Sequence, residues 1–112
     1  MRYAPGPLLS ALRPPLFLLD FLEQFMYIIL VYDVNEKRVG RALKVCRQYL
    51  NWVQNSVFEG ESTPARLKEL TMRLKRVIEE DEDSVLIYKF AEQRLLEKRV
   101  LGRERNPTGT FL

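Results

Sequence analysis

Apolar and polar positions divide this chain into short runs with two different periods. Met26–Val34, MYIILVYDV, is the strongest: seven of its nine residues are aliphatic or aromatic, and four of those seven are β-branched. Its length and branching predict a buried strand. Tyr27, Ile29, Val31 and Asp33 share one face of it, and Ile28, Leu30, Tyr32 and Val34 the other. Both faces are apolar, so neither suits water. The spacing then changes. Val39, Leu43, Cys46 and Leu50 recur at intervals of four, three and four, which predicts a helix over roughly Lys37–Leu50. Trp52–Glu59, WVQNSVFE, alternates again and predicts one half-buried strand ended by Gly60. Thr63 and Pro64 mark a second helix start, as N-cap and first helical residue. Leu67, Leu70, Leu74, Val77 and Ile78 form its apolar stripe. Ser84–Phe90, SVLIYKF, predicts a third strand, and Glu97–Leu101 a short fourth.

Strand, helix, strand, helix, strand in so short a span predicts a small α/β sandwich with both helices on one face of the sheet. The other face needs cover, and a second subunit is the expected source. The size agrees: 112 residues at 46% hydrophobic content make one small domain with a modest core, which oligomerisation would help stabilise.

The first 25 residues do not share the pattern. They carry Pro5, Pro7, Pro14 and Pro15, and their apolar run Leu16–Leu22 is broken by Asp20. The run is too short to span a membrane, and the flanks of a signal peptide are missing. Because Met26 opens the strand directly, it is expected to be the natural start, with residues 1–25 an N-terminal extension from an upstream start and outside the core. The alternative is a short helix over Leu16–Phe25 packing on a partner. The core domain is expected over 26–102, and the tail 103–112, with Asn106-Pro107 and Gly109, as loosely ordered.

A net charge of +3 is too mild to imply nucleic acid by itself; its distribution says more. Between positions 36 and 47 stand Lys37, Arg38, Arg41, Lys44 and Arg47 against Glu36 alone. Lys37, Arg41 and Lys44 lie opposite the apolar stripe of the first helix, with Arg38 and Arg47 on its flanks, so the helix offers a surface for phosphates without base reading. Arg66, Arg73 and Arg76 on the second helix are the alternative surface. Residues 79–83, EEDED, are all acidic, but neighbouring side chains on a solvated turn do not converge on a metal.

There is no histidine, which removes Ser-His-Asp and Cys-His catalysis and histidine zinc sites. The one cysteine, Cys46, excludes an intramolecular disulfide and fits a reducing compartment such as the cytoplasm. Its place on an apolar helix face predicts a buried, inert thiol. Asp33 is the best candidate for chemistry, because a carboxylate ending a buried strand must be neutralised by a proton, a cation or a metal. The competing reading is a cap for the following helix. Tyr32, Trp52 and Phe58 offer rings for base stacking, but each sits in a strand pattern, where core packing is the expected role.

Val31-Tyr32-Asp33-Val34, the basic helix, Val53-Gln54-Asn55-Ser56-Val57-Phe58-Glu59-Gly60 and Asp83-Ser84-Val85-Leu86-Ile87-Tyr88 together resemble the CRISPR-associated protein 2 family. The resemblance runs from Met26 to about Leu112, including Val100-Leu101-Gly102, and leaves residues 1–25 without a counterpart. It implies a ferredoxin-like α+β sandwich, with two helices on one face of an antiparallel sheet and a homodimer formed through the sheets. It implies a Mg²⁺ ion shared by Asp33 of each subunit, which makes Asp33 the candidate catalytic and metal-holding residue. It further implies capture of new spacers together with the CRISPR-associated integrase, protein 1, and endonuclease activity on RNA or DNA. A family arginine falls on Arg38 or Arg41, and a family phenylalanine on Phe58.

The chemistry is consistent with this, since Mg²⁺ accepts one or two carboxylates and fills its octahedron with water and phosphate oxygens. Three functions stay open: a metal-dependent nuclease dimer, a DNA-binding adaptor that bridges integrase units, and a regulatory dimer for a small ligand. The last lacks a ligand-binding signature. The adaptor, with latent cleavage, is the favoured reading.

Overall fold

The structure, a computed structural model, describes Pro15 and residues 25–106. The extension apart from Pro15 and Phe25, the helix expected within it and the end of the tail lie outside the described residues. The opening apolar run forms β1, Met26–Asp33, in the interior of the sheet. Its alternation decides the two sides. Ile28, Leu30 and Tyr32 are buried toward the helices; on the other face Tyr27 is buried, Ile29 and Val31 are half-buried, and Asp33 is exposed. The helix α1, Glu36–Arg47, follows with Asn35 as its N-cap; the Asn35 side-chain oxygen accepts from the Lys37 N–H at 2.9 Å. Two short strands come next, β2 at Asn51–Gln54 and β3 at Val57–Ser62. The helix α2, Pro64–Lys75, starts as its sequence predicts, with the Thr63 hydroxyl accepting from the Arg66 N–H at 3.2 Å. The last strand, β4, spans Ser84–Phe90 as expected, and a 3₁₀ turn at Gln93–Leu95 follows.

The strands stand in the order β2-β3-β1-β4, and every neighbouring pair is antiparallel. Taken with the two helices this is the β-α-β-β-α-β ferredoxin-like arrangement, an α+β sandwich. The core lies between the sheet and the helices. Ile28, Leu30, Tyr32 and Phe58 meet Ala42, Cys46, Leu50, Leu70 and Leu74 there. The Tyr32 and Phe58 rings stack with centroids 6.0 Å apart, so both belong to the core. Burial pushes the Cys46 thiol up to about 12, which leaves it un-ionised and inert at neutral pH.

Four expectations need correction. Trp52–Glu59 is not one strand but the β2–β3 hairpin, turning at Asn55 and Ser56 with Asn55 at φ 45°. Asparagine tolerates this left-handed conformation better than most residues. Trp52 pairs with Phe58 and Gln54 with Val57, and the irregularity between Trp52 and Gln54 inserts one residue. That extra residue returns Trp52 and Phe58 to the same parity, so the alternation runs unbroken through the turn. Glu97–Leu101 forms no strand among the described residues. It is tied to the sheet by an ion pair of Lys98 with the buried Glu59, and further on Asn106 donates to the Trp52 carbonyl at 2.7 Å. The α1 stripe is turned from the one expected: Val39 is exposed, and the buried positions are Ala42, Val45 and Cys46. The turn shifts Arg38 inward. Finally, the acidic run is not a uniformly solvated turn, because Asp83 is buried.

The face of the sheet away from the helices is apolar along β1 and β4. Val31 lies opposite Leu86, and Ile29 opposite Tyr88. Leu86 and Tyr88 are each 52% exposed. Among the described residues, no helix is long and apolar enough to cross a membrane.

Candidate functional site

Asp33 is the last residue of β1 and projects on the open side of the sheet, in line with Tyr27, Ile29 and Val31. Its backbone pairs with Ser84, the first residue of β4. On its other side the Tyr32 N–H donates to the Ser56 carbonyl at 3.1 Å, which brings the β2–β3 turn beside it. The Asp33 carboxylate makes no hydrogen bond or ion pair with another described residue, and it does not cap α1, a role Asn35 fills. It is therefore open to a ligand. One exposed carboxylate with room for water suits a hard cation such as Mg²⁺, which binds through one or two carboxylates and keeps several waters. Among the described residues no group of three or more acidic or cysteine side chains gathers to hold a metal. Within one chain Asp33 supplies a single ligand.

A second carboxylate lies close in the fold and has the opposite character. The Asp83 side chain is fully shielded from solvent. Its Oδ1 accepts from the Asn35 N–H at 2.9 Å and from Arg38 Nη2 at 3.1 Å. Its Oδ2 accepts from Arg38 Nε at 2.7 Å and from the Glu79 N–H at 2.8 Å. Arg38 also reaches Glu82 at 3.0 Å. The Arg38 guanidinium and the two backbone donors hold the Asp83 carboxyl well below the usual carboxylate range, against the opposing effect of burial. Asp83 joins the β1–α1 corner to the α2–β4 connection and stands directly before Ser84, the strand partner of Asp33. In the sequence it is one of five like residues. Its signal was position, directly before a strand.

The basic residues divide into two groups. Lys37, Arg41, Lys44 and Arg47 are exposed on α1 and form no ion pair with another described residue. Arg38 is not with them, since only 14% of its side chain is exposed and it is committed to Asp83. On the same side of the sheet, Arg66 and Arg73 of α2 flank Tyr49, with guanidinium carbons 4.9 and 5.5 Å from the ring centroid. Arg73 donates to Gln48 Oε1 at 2.6 Å and to the Tyr49 hydroxyl at 3.2 Å. Neither arginine has a carboxylate partner among the described residues. Arg66 borders a cleft of about 480 Å³ that also includes Tyr49, Asn51 and Thr63, away from Asp33. Trp52 is half-buried, and its indole N–H donates to the Asn55 carbonyl at 3.0 Å, so it closes the hairpin turn.

A family model for CRISPR associated protein Cas2 matches residues 26–98, from the first residue of β1 to the lysine paired with Glu59. The chain belongs to the Cas2 family. It is 49% identical over 84 residues to the CRISPR-associated endoribonuclease Cas2 of Thermotoga maritima, a match covering 75% of this chain and 97% of the relative. It is 48% identical over 85 residues to the protein of the same name from Methanocaldococcus jannaschii, covering 76% and 75%. A solved crystal structure of a Cas2 superposes with a TM-score of 0.69 at 50% identity, over 79% of this chain and 99% of the other. The ferredoxin-like sandwich expected for the family is thus the fold of this member.

The Asp83 carboxylate makes stability depend on pH in a defined direction. Its folded form binds a proton less readily than the unfolded chain, so its contribution is present at neutral pH and is lost as pH falls below the ordinary carboxylate range, about 4. Asp83→Asn should melt below the wild type at pH 7, and the gap should narrow between pH 4 and pH 3. Thermal melts across that range check this; a gap that stays constant would count against it.

Proposed function

We propose that this member of the Cas2 family acts as a dimeric nucleic-acid-binding adaptor in CRISPR adaptation, the stage of antiviral defence that captures new spacers. In this reading it bridges units of the CRISPR-associated integrase, protein 1, in the cytoplasm. The observation that carries the proposal is the open sheet face. Ile29, Val31, Leu86 and Tyr88 form an apolar surface opposite the helices, with Asp33 at its end. Covering the exposed half of Leu86 and Tyr88 would contribute on the order of 1 kcal/mol each. A second copy of the chain is the occupant a two-fold interface provides, and it would bring a second Asp33 to the same face. The helices then remain outward, with Lys37, Arg41, Lys44 and Arg47 free to follow a phosphate backbone.

The second reading, a magnesium-dependent endonuclease on RNA or DNA, is favoured by the unengaged Asp33 carboxylate and by the endoribonuclease names of the relatives. Asp33 of each subunit would hold Mg²⁺. The ion would supply charge stabilisation to a phosphodiester under attack. The chain's own part is to hold the carboxylate at the sheet end, where solvent and a phosphate can reach it.

Three outcomes test these readings. In solution the wild type should have the mass of two chains at micromolar concentration, and Leu86→Asp should halve it; a wild-type mass of one chain would remove the dimer from the proposal.

Replacing Lys37, Arg41 and Lys44 together with Ala should weaken duplex binding equally for all sequences. It should also flatten the salt dependence by roughly one unit of slope for each phosphate left without its cation. Unchanged affinity and slope would shift the binding surface to Arg66, Arg73 and Arg76.

Asp33→Asn should lower magnesium-dependent cleavage by about 10²-fold or more while leaving duplex binding, integrase association and spacer acquisition near wild-type levels. A variant that binds DNA and integrase but acquires no spacers would overturn the adaptor reading and make the metal site essential.

A further inference from the structure

We infer that Asp83 is a positioning residue for the Asp33 site: its sealed carboxylate locks the corner between β1 and α1 and so fixes where Asp33 stands on the sheet. The inference rests on the reading of Asp33 as the residue that holds the metal.

Three observations carry it. The Asp33 side chain has no hydrogen-bond partner among the described residues, so its position depends on its backbone alone. That backbone is held from two sides by groups that converge on Asp83. On one side Asn35, two residues beyond Asp33, donates its N–H to Asp83 at 2.9 Å, and Arg38 in the first turn of α1 adds two further bonds. On the other, Ser84 follows Asp83 directly and is paired with Asp33 across the sheet. Asp33 is also the last residue of its strand, where ladders open most readily. A carboxylate at a fraying end would sample many positions, and a cation ligand must be held in one. Asp83 itself cannot ligate the ion, because its two oxygens already accept four hydrogen bonds and face no solvent. It acts through the backbone of residues 33–35.

A clamp that served folding alone would, when lost, lower the melting temperature and free the Asn35 N–H without changing how the folded protein holds a cation. A positioning residue also changes how the folded protein holds a cation. The test uses the full chain with Mn²⁺ as a spectroscopic probe for Mg²⁺, well below the melting point of every variant. Mn²⁺ affinity is measured by electron paramagnetic resonance and calorimetry for the wild type, Asp33→Asn, Asp83→Asn and Arg38→Lys, beside amide hydrogen exchange at Asn35. Asp83→Asn keeps the size of the side chain but loses acceptors for Arg38. Arg38→Lys keeps a cation near Asp83 but replaces the two-pronged guanidinium with a single point of donation. Asp33→Asn should abolish specific Mn²⁺ binding. Asp83→Asn should exchange Asn35 faster and bind Mn²⁺ about 10–100-fold more weakly, with Arg38→Lys between it and the wild type. If Asp83→Asn does not fold, Arg38→Lys carries the same comparison. Faster exchange at Asn35 with wild-type Mn²⁺ affinity would overturn the inference and leave Asp83 a folding clamp. Wild-type Mn²⁺ affinity in Asp33→Asn would instead sink the metal reading of Asp33, and this inference with it.

Discussion

The carboxylate of Asp83 meets four donors and no water, and both helix connections at its end of the sheet converge on it. A buried charge is costly unless donors and a counter-charge surround it. Here the counter-charge comes from α1 and the backbone donors from Asn35 and Glu79, so the β1–α1 corner and the α2–β4 connection must both be in place before the charge is met. The interaction also does what hydrophobic patterning cannot. The strands β1 and β4 are apolar on both faces, so burial alone distinguishes poorly between the observed pairing and one slipped by a single residue. A slip would turn Val85 and Ile87 outward and Leu86 and Tyr88 toward the helices. It would also carry Asp83 away from Arg38 and Asn35, which a buried charge does not tolerate.

With the register held, the sheet divides the molecule into two working surfaces. Asp33 ends the open apolar face, while Lys37, Arg41, Lys44 and Arg47 lie on the helix layer behind it. The β1–α1 corner joins the two surfaces, with Asp33 at the end of β1 and Lys37 in the first turn of α1. A phosphate backbone lying along α1 is therefore not the one an ion at Asp33 would meet, unless it bends around that corner. Under the proposed function, this geometry is the physical ground for testing binding and cleavage separately. It also makes the corner, which Asp83 organises, the place where the two would be coupled.

Much of the fold was legible in local pattern. The branched apolar run located β1 to within a residue, Thr63 and Pro64 located the start of α2, and SVLIYKF coincides with β4. The failures share a cause, which is that the deciding partner lies elsewhere in the chain. Alternation through WVQNSVFE ran on across a turn because an inserted residue restored its parity. Val39 reads as core by its spacing, yet the helix is rotated so that Arg38 can face a carboxylate 45 residues away. Lys98 reads as part of a strand, yet its partner is the buried Glu59, 39 residues earlier.

The two aspartates show the same limit in the site. Asp33 stands out because it interrupts an apolar run, a contrast visible within nine residues. Asp83 is hidden among four neighbours of the same charge, and only the topology separates it from them. Glu79, Glu80, Asp81 and Glu82 remain in solvent, whereas Asp83 is carried inward by the strand it precedes. Side-chain length adds to the selection. An aspartate one residue before β4 brings its oxygens to the Asn35 N–H and the Arg38 fork while its own backbone stays beside the sheet. A glutamate there would extend past the Asn35 and Glu79 amides by a methylene unless the loop moved. The choice of Asp over Glu at this one place in the acidic run is thus a structural statement, written in the sequence and readable once the partners of the strand are known.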